Sequence, residues 1–250
     1  MHKTGLPIRE EDVVFPKGRE QIPGFLAYPA EGSLPRSGVL IIQEVWGLDT
    51  HIRDVARRVA GEGFVALAPD LFSREGPPPG DTIEALRPFM FAIPDLRVVA
   101  DLSAAMNFLR SGTLVINEPI GAVGFCVGGT WARMLAAEKV GLAACVDFYG
   151  RFRYPNISES KPFQPIDRVA EMRCPYLGLF GGDDPVVPQA DIDEVRTKLR
   201  AAKVDFDIKV YPGAPHAFFN DTRQLYRNPP AEAAFAETID FLKQHLGCPR

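Results

Sequence analysis

Three side chains that could perform nucleophilic catalysis follow one another along the chain: a cysteine, an aspartate and a histidine. Residues 124–128 read Gly-Phe-Cys-Val-Gly, so glycines stand two positions before and two positions after Cys126. This spacing is typical of a sharp turn between a strand and a helix, because a side chain at either glycine would clash in so tight a bend. The turn would raise the thiol above the sheet edge, and the N-terminal N–H groups of the next helix would favour a thiolate or a developing oxyanion.

The acid and the base are expected in two turns rich in proline and glycine. Asp183 and Asp184 follow the apolar run 176–180, and His216 follows the run 206–211. The order nucleophile, acid, histidine is that of the triad in α/β hydrolases. The histidine would take the thiol proton and later protonate the leaving group, while the acid would fix the imidazole tautomer. We favour Asp184 as the acid because Pro-Val-Val-Pro follows it; Asp183 would then be a turn residue that bonds local backbone.

Each motif also has a simpler interpretation, in which its residues are structural rather than catalytic. Short glycine patterns arise by chance, so Cys126 could be a structural cysteine in an ordinary strand–helix turn. The other histidines are His2 in the N-terminal stretch and His51 and His245 on predicted helices, where packed or solvated side chains are usual. His216 is the one that follows a late strand in a turn.

The elements that must position these residues alternate along the chain between apolar runs and amphipathic stretches. The predicted strands cover residues 13–15, 24–28, 37–43, 64–68, 120–125, 143–149, 176–180 and 206–211. The predicted helices cover residues 51–62, 95–110, 130–139, 189–202 and 231–245. The alternation predicts an α/β fold with a mostly parallel sheet of about eight strands and helices on both faces. Active residues gather beyond the carboxyl ends of such strands, which is where Glu44 and Cys126 fall.

The composition excludes several classes of protein. The chain has 250 residues, of which 46% are hydrophobic, and this suits a single α/β domain over residues 1–250. A net charge of −4 gives no reason to expect nucleic acid or an anionic membrane as a partner. The N-terminus lacks the apolar core of a signal peptide, and no apolar run reaches membrane-spanning length.

The cysteines indicate a reducing compartment. The four of them, Cys126, Cys145, Cys174 and Cys248, show neither a Cys-x-x-Cys pair nor the spacing of a metal site. In a chain of this length we expect free thiols and therefore a cytoplasmic protein without a metal site. No motif for a cofactor is found.

Taken together, the motifs resemble the dienelactone hydrolase (carboxymethylenebutenolidase) family of the α/β-hydrolase fold, from about Val13 to Leu246. The resemblance implies the triad Cys126–Asp184–His216 and hydrolysis of small esters or lactones through a thioacyl enzyme. It also implies a small-molecule substrate and a monomer or weak homo-oligomer. The motifs that carry it are Gln-Glu-Val-Trp-Gly at 43–47, Pro-Asp-Leu at 69–71, the elbow at 124–129, Phe-Tyr-Gly at 148–150, Asp184, and His-Ala-Phe at 216–218.

The resemblance implies further roles near the nucleophile. Glu44 would contact the resting thiol and move when substrate binds, so that the thiolate pairs with His216. The other interpretation is a buried carboxylate that only ties down the end of a strand. The backbone N–H groups of Val45 and Val127 would form the oxyanion hole.

The sequence departs from the family in the residues that would bind substrate. Members specific for dienelactones bind the substrate carboxylate with arginines, one of them four residues after the catalytic histidine. That position is Asn220 here, and the other falls near Ile83. The stretch 151–168 is longer than a simple connection and could form a lid. The candidates for substrate contact are Trp46, Arg74, Arg87, Tyr149, Arg151, Phe218 and, for an anion, also Arg153.

Two other functions use the same residues differently. The triad could serve an aryl esterase or an organophosphate hydrolase, in which only the electrophile differs. Alternatively, Cys126 could be the sensor of a non-catalytic redox or binding protein. The second alternative leaves the ordered acid and histidine unexplained.

Overall fold

The computed structural model describes residues 5–32 and 36–247. Its strands are β1 (Ile8–Lys17), β2 (Glu20–Pro29), β3 (Gly38–Ile42), β4 (Val65–Pro69), β5 (Ile120–Phe125), β6 (Ala144–Phe148), β7 (Tyr176–Gly181) and β8 (Phe206–Tyr211). They form an eight-stranded sheet in the order β1-β2-β4-β3-β5-β6-β7-β8. The pairs β1–β2 and β2–β4 are antiparallel, and the other pairs are parallel. The predicted mostly parallel α/β sheet is confirmed.

Helices cover both faces of this sheet. They are α1 (Thr50–Gly61), α2 (Ile83–Ala92), α3 (Asp95–Ser111), α4 (Val127–Ala137), α5 (Gln189–Ala202) and α6 (Asn228–Leu246), with a 3₁₀ helix at Pro165–Glu171. Strand β3 shows how the two cores arise: Val39 and Ile41 pack into one apolar cluster with α1 and α6, and Leu40 and Ile42 pack into the other with α3 and α4. Alternate side chains of a strand point to opposite faces, so a strand buried on both faces is apolar throughout.

Two helices differ from the sequence prediction. Helix α2 was not predicted; it carries Pro88 in its interior, and Leu86 is its one buried residue, so its sequence lacks an apolar stripe. Helix α4 begins at Val127 rather than at residue 130. Its early glycines have low helix propensity, and the tight turn at the end of β5 sets the start of the helix instead.

A buried polar network holds the irregular stretch that begins at Arg151. The Lys161 ammonium donates to Asp95 Oδ1 at 2.6 Å and to the carbonyl oxygen of Ile93 at 2.9 Å. The same carboxylate accepts from Trp131 Nε1 at 2.7 Å and from the Tyr154 hydroxyl at 2.8 Å. Asp95 begins α3 and Trp131 lies in α4, so the network attaches this stretch to both helices.

The structure separates the thiols into two kinds. Cys145 and Cys174 are buried and free, whereas Cys126 is partly exposed. Burial raises the pKa of the Cys174 thiol to about 12 and that of Cys145 well above its usual range, so neither is a nucleophile at neutral pH. Cys248 lies outside the described residues.

The described residues include neither a membrane-spanning helix nor a cluster of metal ligands. No described helix is long and apolar enough to cross a membrane. Within residues 5–32 and 36–247, no group of three or more His, Cys, Asp or Glu side chains could hold a metal ion.

Candidate active site

Cys126 occupies the bend between β5 and α4. Its backbone has φ 54° and ψ −116°, in the left-handed half of conformational space that a residue with a side chain seldom adopts. The bend is held by its N–H, which donates to the carbonyl oxygen of Phe148 at 3.0 Å, and by its own carbonyl, which accepts from Gly129 N at 3.1 Å. Strain of this kind is typical of a nucleophile placed on an elbow.

The two glycines of the elbow are required by close backbone contacts. A Cβ on Gly124 would overlap the carbonyl group of Gly128. A Cβ on Gly128 would overlap the carbonyl oxygens of Ile42 and Gln43 at the end of β3. The glycines therefore let the start of α4 approach both neighbouring strand ends.

Cys126, His216 and Asp184 form one continuous chain of contacts. His216 Nε2 lies 3.3 Å from Cys126 Sγ, and His216 Nδ1 lies 2.7 Å from Asp184 Oδ2. The three residues follow the carboxyl ends of β5, β8 and β7, which are neighbours or near neighbours in the parallel part of the sheet. The structure thus brings together the nucleophile, base and acid that the sequence proposed.

The two aspartates of the β7 turn have different surroundings. Asp184 is buried, and its second oxygen, Oδ1, accepts from the backbone N–H of Val186 at 2.7 Å. Asp183 is exposed, and its N–H donates to the carbonyl oxygen of Ala214 at 3.0 Å. Asp184 is the aspartate that contacts the imidazole.

The surroundings of His216 favour its charged form. Burial by itself lowers the pKa of this imidazole, but the Coulombic effect of Cys126 and the hydrogen bond to Asp184 outweigh burial. The pKa of His216 is consequently raised from 6.5 to about 10. An imidazolium beside the sulfur is the arrangement that stabilises a thiolate.

Glu44 follows β3 and is buried. Its Oε1 accepts from the Tyr149 hydroxyl at 3.0 Å, and its Oε2 accepts from the Asn220 amide at 2.5 Å. Among the described residues no hydrogen bond joins this carboxylate to Cys126, whose sulfur contacts His216. The carboxylate thus has two partners, Tyr149 and Asn220, that the sequence did not reveal, and its contact with the resting thiol stays a prediction.

Tyr149 is positioned by its own strained backbone and by the core behind it. Its φ is 46°, and its N–H donates to the carbonyl oxygen of Leu179 at 2.9 Å. The carboxylate of Asp147 accepts from the next N–H, that of Gly150, at 2.8 Å. The Tyr149 ring is fully buried, with its centre 5.1 Å from that of His216. Burial, and then the charge of Glu44, raise the pKa of Tyr149 well above its usual range, so its hydroxyl keeps its proton and donates.

The two backbone N–H groups predicted to bind an oxyanion are those of Val45 and Val127. Val127 is the first residue of α4, and its N–H has no acceptor within the helix. Val45 follows Glu44 in the loop after β3. Among the described residues, neither N–H has a hydrogen-bond acceptor.

The residues proposed for substrate contact differ in their exposure and in whether their charge is already paired. The Arg74 guanidinium donates to Asp101 and Glu20, so its charge is already paired. Phe218 is fully buried with its ring 5.5 Å from that of Tyr149, so it supports Tyr149 from within the core and is not available to a substrate. Arg87 is exposed on α2, and Arg151 is partly buried.

The ring of Trp46 stacks against an arginine, Arg223, that the sequence analysis did not single out. The Arg223 guanidinium carbon lies 3.7 Å from the centre of the Trp46 ring, beside the loop that carries Val45. Arg223 Nε is buried, with no hydrogen-bond partner among the described residues. The N–H of Arg223 donates to the carbonyl oxygen of Asn220 at 3.1 Å, so the arginine belongs to the turn beside Glu44. Spacing from the histidine could not reveal it, because it lies seven residues after His216 rather than four.

His51 and His245 have partners other than Cys126. His51 is buried in α1, with its ring against Phe125 and Phe219 and its Nδ1 3.2 Å from Asp221. His245 packs on Phe241 in α6. His2 lies outside the described residues.

Comparison with known proteins places this chain in a family. A model of the dienelactone hydrolase family matches residues 22–246. The chain belongs to the dienelactone hydrolase family. It is therefore a hydrolase, and its fold is the α/β-hydrolase fold of that family.

Relatives of the dienelactone hydrolase family match nearly the whole chain. A protein of Methylorubrum extorquens named "Putative carboxymethylenebutenolidase" is 36% identical over 236 residues, covering 94% of this chain and 80% of that protein. A protein of Escherichia coli K12 with the same name is 36% identical over 235 residues, covering 93% of this chain and 86% of that protein.

Solved structures share the architecture. A crystal structure described as a "Putative Dienelactone Hydrolase" from Klebsiella pneumoniae has a TM-score of 0.89 and 32% identity, covering 95% of this chain and 99% of that one. A dienelactone hydrolase-like promiscuous phosphotriesterase from metagenomic libraries has a TM-score of 0.82 at 23% identity, covering 96% of this chain and 100% of that one, and shows the same fold.

Proposed function

We propose that this hydrolase cleaves small esters or lactones with Cys126 as its nucleophile. The observation that supports this most is the unbroken path from Asp184 through His216 to Cys126, with contacts of 2.7 Å and 3.3 Å. The path combines an acid that orients the imidazole, a base that reaches the sulfur, and a sulfur on a strained turn beside a helix N-terminus.

In the acylation step, the Cys126 thiolate attacks the carbonyl carbon of the substrate. The carbonyl π electrons move to oxygen, and the N–H groups of Val45 and Val127 donate to the resulting oxyanion. When the tetrahedral intermediate collapses, the bond from carbon to the leaving oxygen breaks, and His216 gives that oxygen its proton. The products of this step are a thioester on Cys126 and an alcohol, which stays attached to the acyl group when the substrate is a lactone.

In the deacylation step, neutral His216 takes a proton from water while the water oxygen attacks the thioester carbon. The same two N–H groups, of Val45 and Val127, stabilise the second oxyanion. Its collapse breaks the carbon–sulfur bond, releases the acid and returns the thiolate beside an imidazolium. Asp184 keeps Nδ1 as the donor nitrogen throughout. Every step uses groups of the chain, the substrate and water.

The charges near the site bear on which class of substrate we propose. The relatives named carboxymethylenebutenolidase suggest a lactone that carries a carboxylate. In this chain position 220 is a neutral asparagine already bonded to Glu44, and Arg74 is paired with acids. We propose that Arg223, which stacks on Trp46, meets such a carboxylate. The alternative is a neutral aryl ester or an organophosphate, for which no cation is required.

Turnover of a chromogenic aryl ester by wild type and Cys126→Ala tests the nucleophile. We expect the alanine variant to be inactive while its circular dichroism and melting temperature match wild type. Cys174→Ala is the matched control, because it removes a buried thiol outside the site and should keep turnover. Mass spectrometry of enzyme quenched during turnover should detect an acyl group on Cys126.

Three outcomes separate the alternatives. Turnover like that of wild type in Cys126→Ala would refute the nucleophile. The absence of turnover with any ester, lactone or phosphotriester would favour the non-catalytic sensor. Comparing carboxylate-bearing lactones with neutral esters of similar reactivity, by kcat/KM, distinguishes the two hydrolase alternatives.

A further inference from the structure

We infer that His51 and Asp221 are positioning residues: their hydrogen bond ties the turn 217–227 to the start of α1 and thereby holds Arg223 on the ring of Trp46. The inference rests on the proposed function, because Trp46 is the place from which Arg223 would meet a substrate carboxylate. It goes beyond that proposal by naming the pair of residues that keeps the arginine in place.

His51 is a buried hydrogen-bond donor with a single partner. Its side chain is 1% exposed, and its Nδ1 lies 3.2 Å from Asp221 Oδ1. An ionised carboxylate can only accept, so Nδ1 carries the proton and donates. The ring packs against Phe125 and Phe219, at centre distances of 6.2 and 6.0 Å, which fixes its orientation. Its Nε2 is buried and has no partner among the described residues, so the bond to Asp221 is what joins His51 to the turn.

The segment from Trp46 to His51 is short and is held by its own hydrogen bonds. The N–H of Asp49 donates to the carbonyl oxygen of Gly47 at 2.9 Å. The Asp49 carboxylate caps α1 by accepting from the N–H of Ile52 at 3.0 Å. The imidazole of His51 is therefore fixed in position relative to the ring of Trp46.

Asp221 and Arg223 belong to one hydrogen-bonded turn. The N–H of Arg223 donates to the carbonyl oxygen of Asn220 at 3.1 Å, and the N–H of Tyr226 donates to that of Arg223 at 3.1 Å. Asp221 lies two positions before Arg223, so a bond at Asp221 restrains the backbone from which the guanidinium extends. The Asn220 amide also bonds to Glu44, so loss of the Asp221 bond should loosen this turn rather than release it.

The bond and the charge of Asp221 have opposite effects on an anionic substrate. The bond keeps Arg223 in place, whereas the negative charge near the arginine opposes binding of a carboxylate. Asp221→Asn removes the charge but keeps an oxygen that can accept from Nδ1, and Asp221→Ala removes both. Comparing the two variants therefore isolates the bond. Asp221 is exposed, so both variants should fold.

Acrylamide quenching of tryptophan fluorescence measures the stack of Arg223 on Trp46 without any substrate. The chain has two tryptophans, and Trp131 is fully buried, so quenching reports mainly on Trp46. Arg223→Gln gives the value for a Trp46 ring that lacks its arginine. We expect Asp221→Ala to move the quenching constant from the wild-type value towards that of Arg223→Gln, and Asp221→Asn to match wild type.

Kinetics with a carboxylate-bearing lactone and a neutral aryl ester measure the consequence for recognition. We expect Asp221→Ala to raise KM for the lactone about fivefold, the effect of one net hydrogen bond, and to leave kcat and the KM of the aryl ester unchanged. His51→Phe keeps an aromatic ring without Nδ1; it should act likewise, and combining the two changes should add nothing. Glu62→Ala is the matched control, because it breaks a 2.8 Å bond to Lys243 at the opposite end of α1 and should change neither readout.

Three results would overturn the inference. The first is a quenching constant and a lactone KM that match wild type in Asp221→Ala, since Asp221 would then only satisfy a buried imidazole. The second is an equal rise of KM for the lactone and the aryl ester. The third is an Asp221→Asn variant as impaired as Asp221→Ala. Failure of the proposed function is distinct: Arg223→Gln would leave KM unchanged for both substrates, while quenching would still show whether the pair holds Arg223 on Trp46.

Discussion

Replacing Lys161 with methionine should destabilise the protein far more than removal of an ordinary surface lysine. The ammonium is almost completely buried and donates to Asp95 Oδ1 at 2.6 Å and to the carbonyl oxygen of Ile93 at 2.9 Å. Methionine keeps most of the length and apolar contact of the stem but removes the charge. The fully buried Asp95 carboxylate would then keep Trp131 and Tyr154 as donors but no cation.

The size of the effect follows from the charge left behind. Removing one partner of a buried ion pair costs about 3–5 kcal/mol, because the remaining charge is neither solvated nor compensated. In a chain of 250 residues, each kcal/mol lowers the melting temperature by about 2–4 °C, so we expect a fall of roughly 6–20 °C. Adding Asp95→Asn to Lys161→Met should recover part of the loss, since the uncompensated charge is gone.

Urea unfolding at pH 7, followed by circular dichroism, measures the free energy of unfolding. Lys198→Met is the matched control, because Lys198 lies 3.5 Å from Glu194 one helical turn away and both side chains are partly exposed. Its cost should be about 0–0.5 kcal/mol. Limited proteolysis of Lys161→Met should reveal new cleavage within 151–164, the stretch that the network attaches to α3 and α4. Equal losses below about 1 kcal/mol for both lysine variants would refute the reasoning.

Three further predictions concern the site. Asp184→Asn should lower kcat by about a thousandfold or more, because Asp184 contacts the imidazole. Asp183→Asn should lower kcat little. The reverse result would mean that Asp183, not Asp184, is the acid. Arg223→Gln should raise KM for a carboxylate-bearing lactone about tenfold or more and leave KM for neutral aryl esters unchanged. Equal changes of KM for both substrates would mean that Arg223 does not recognise the carboxylate. The pKa of His216 is raised from 6.5 to about 10 in the folded protein, so protonation of this imidazole stabilises the fold. This stabilisation is fully present below about pH 6.5 and is lost as the pH rises through about 10. Between pH 6.5 and about 10 the free energy of unfolding should therefore fall more steeply in wild type than in Cys126→Ala, and parallel curves from urea titrations would contradict this.

Local patterns in the sequence were enough to predict most of the fold. Strands buried on both faces are recognisable because every residue is apolar, as in β3 and β5. Amphipathic α1 is recognisable because Ile52, Val55 and Val59 recur at helical spacing. Helix α2 was not predicted, because its interior proline and mostly exposed residues give no helical spacing of apolar residues.

The triad could also be proposed from the sequence, for a topological reason. Each of its members follows a strand, and parallel strands bring their carboxyl ends to one edge of the sheet. His216 and Cys126 are 90 positions apart in the chain and 3.3 Å apart in space. Asp184 and Asp183 share the same turn, so the packing of that turn decided which of them faces the histidine.

The partners of Glu44 and the surroundings of the arginines required the tertiary structure. Glu44 meets Tyr149 across 105 positions and Asn220 across 176, and no local pattern encodes where side chains from such distant elements converge. From the sequence alone, Arg74 is a candidate for binding an anionic substrate. The structure shows that its guanidinium already donates to Asp101, so its charge is paired. The sequence by itself thus determined which elements form and which chemical groups lie at one sheet edge, because hydrophobic periodicity and strand–turn motifs are local. The tertiary structure alone decided which group each side chain contacts, because those contacts depend on how separate loops pack against one another.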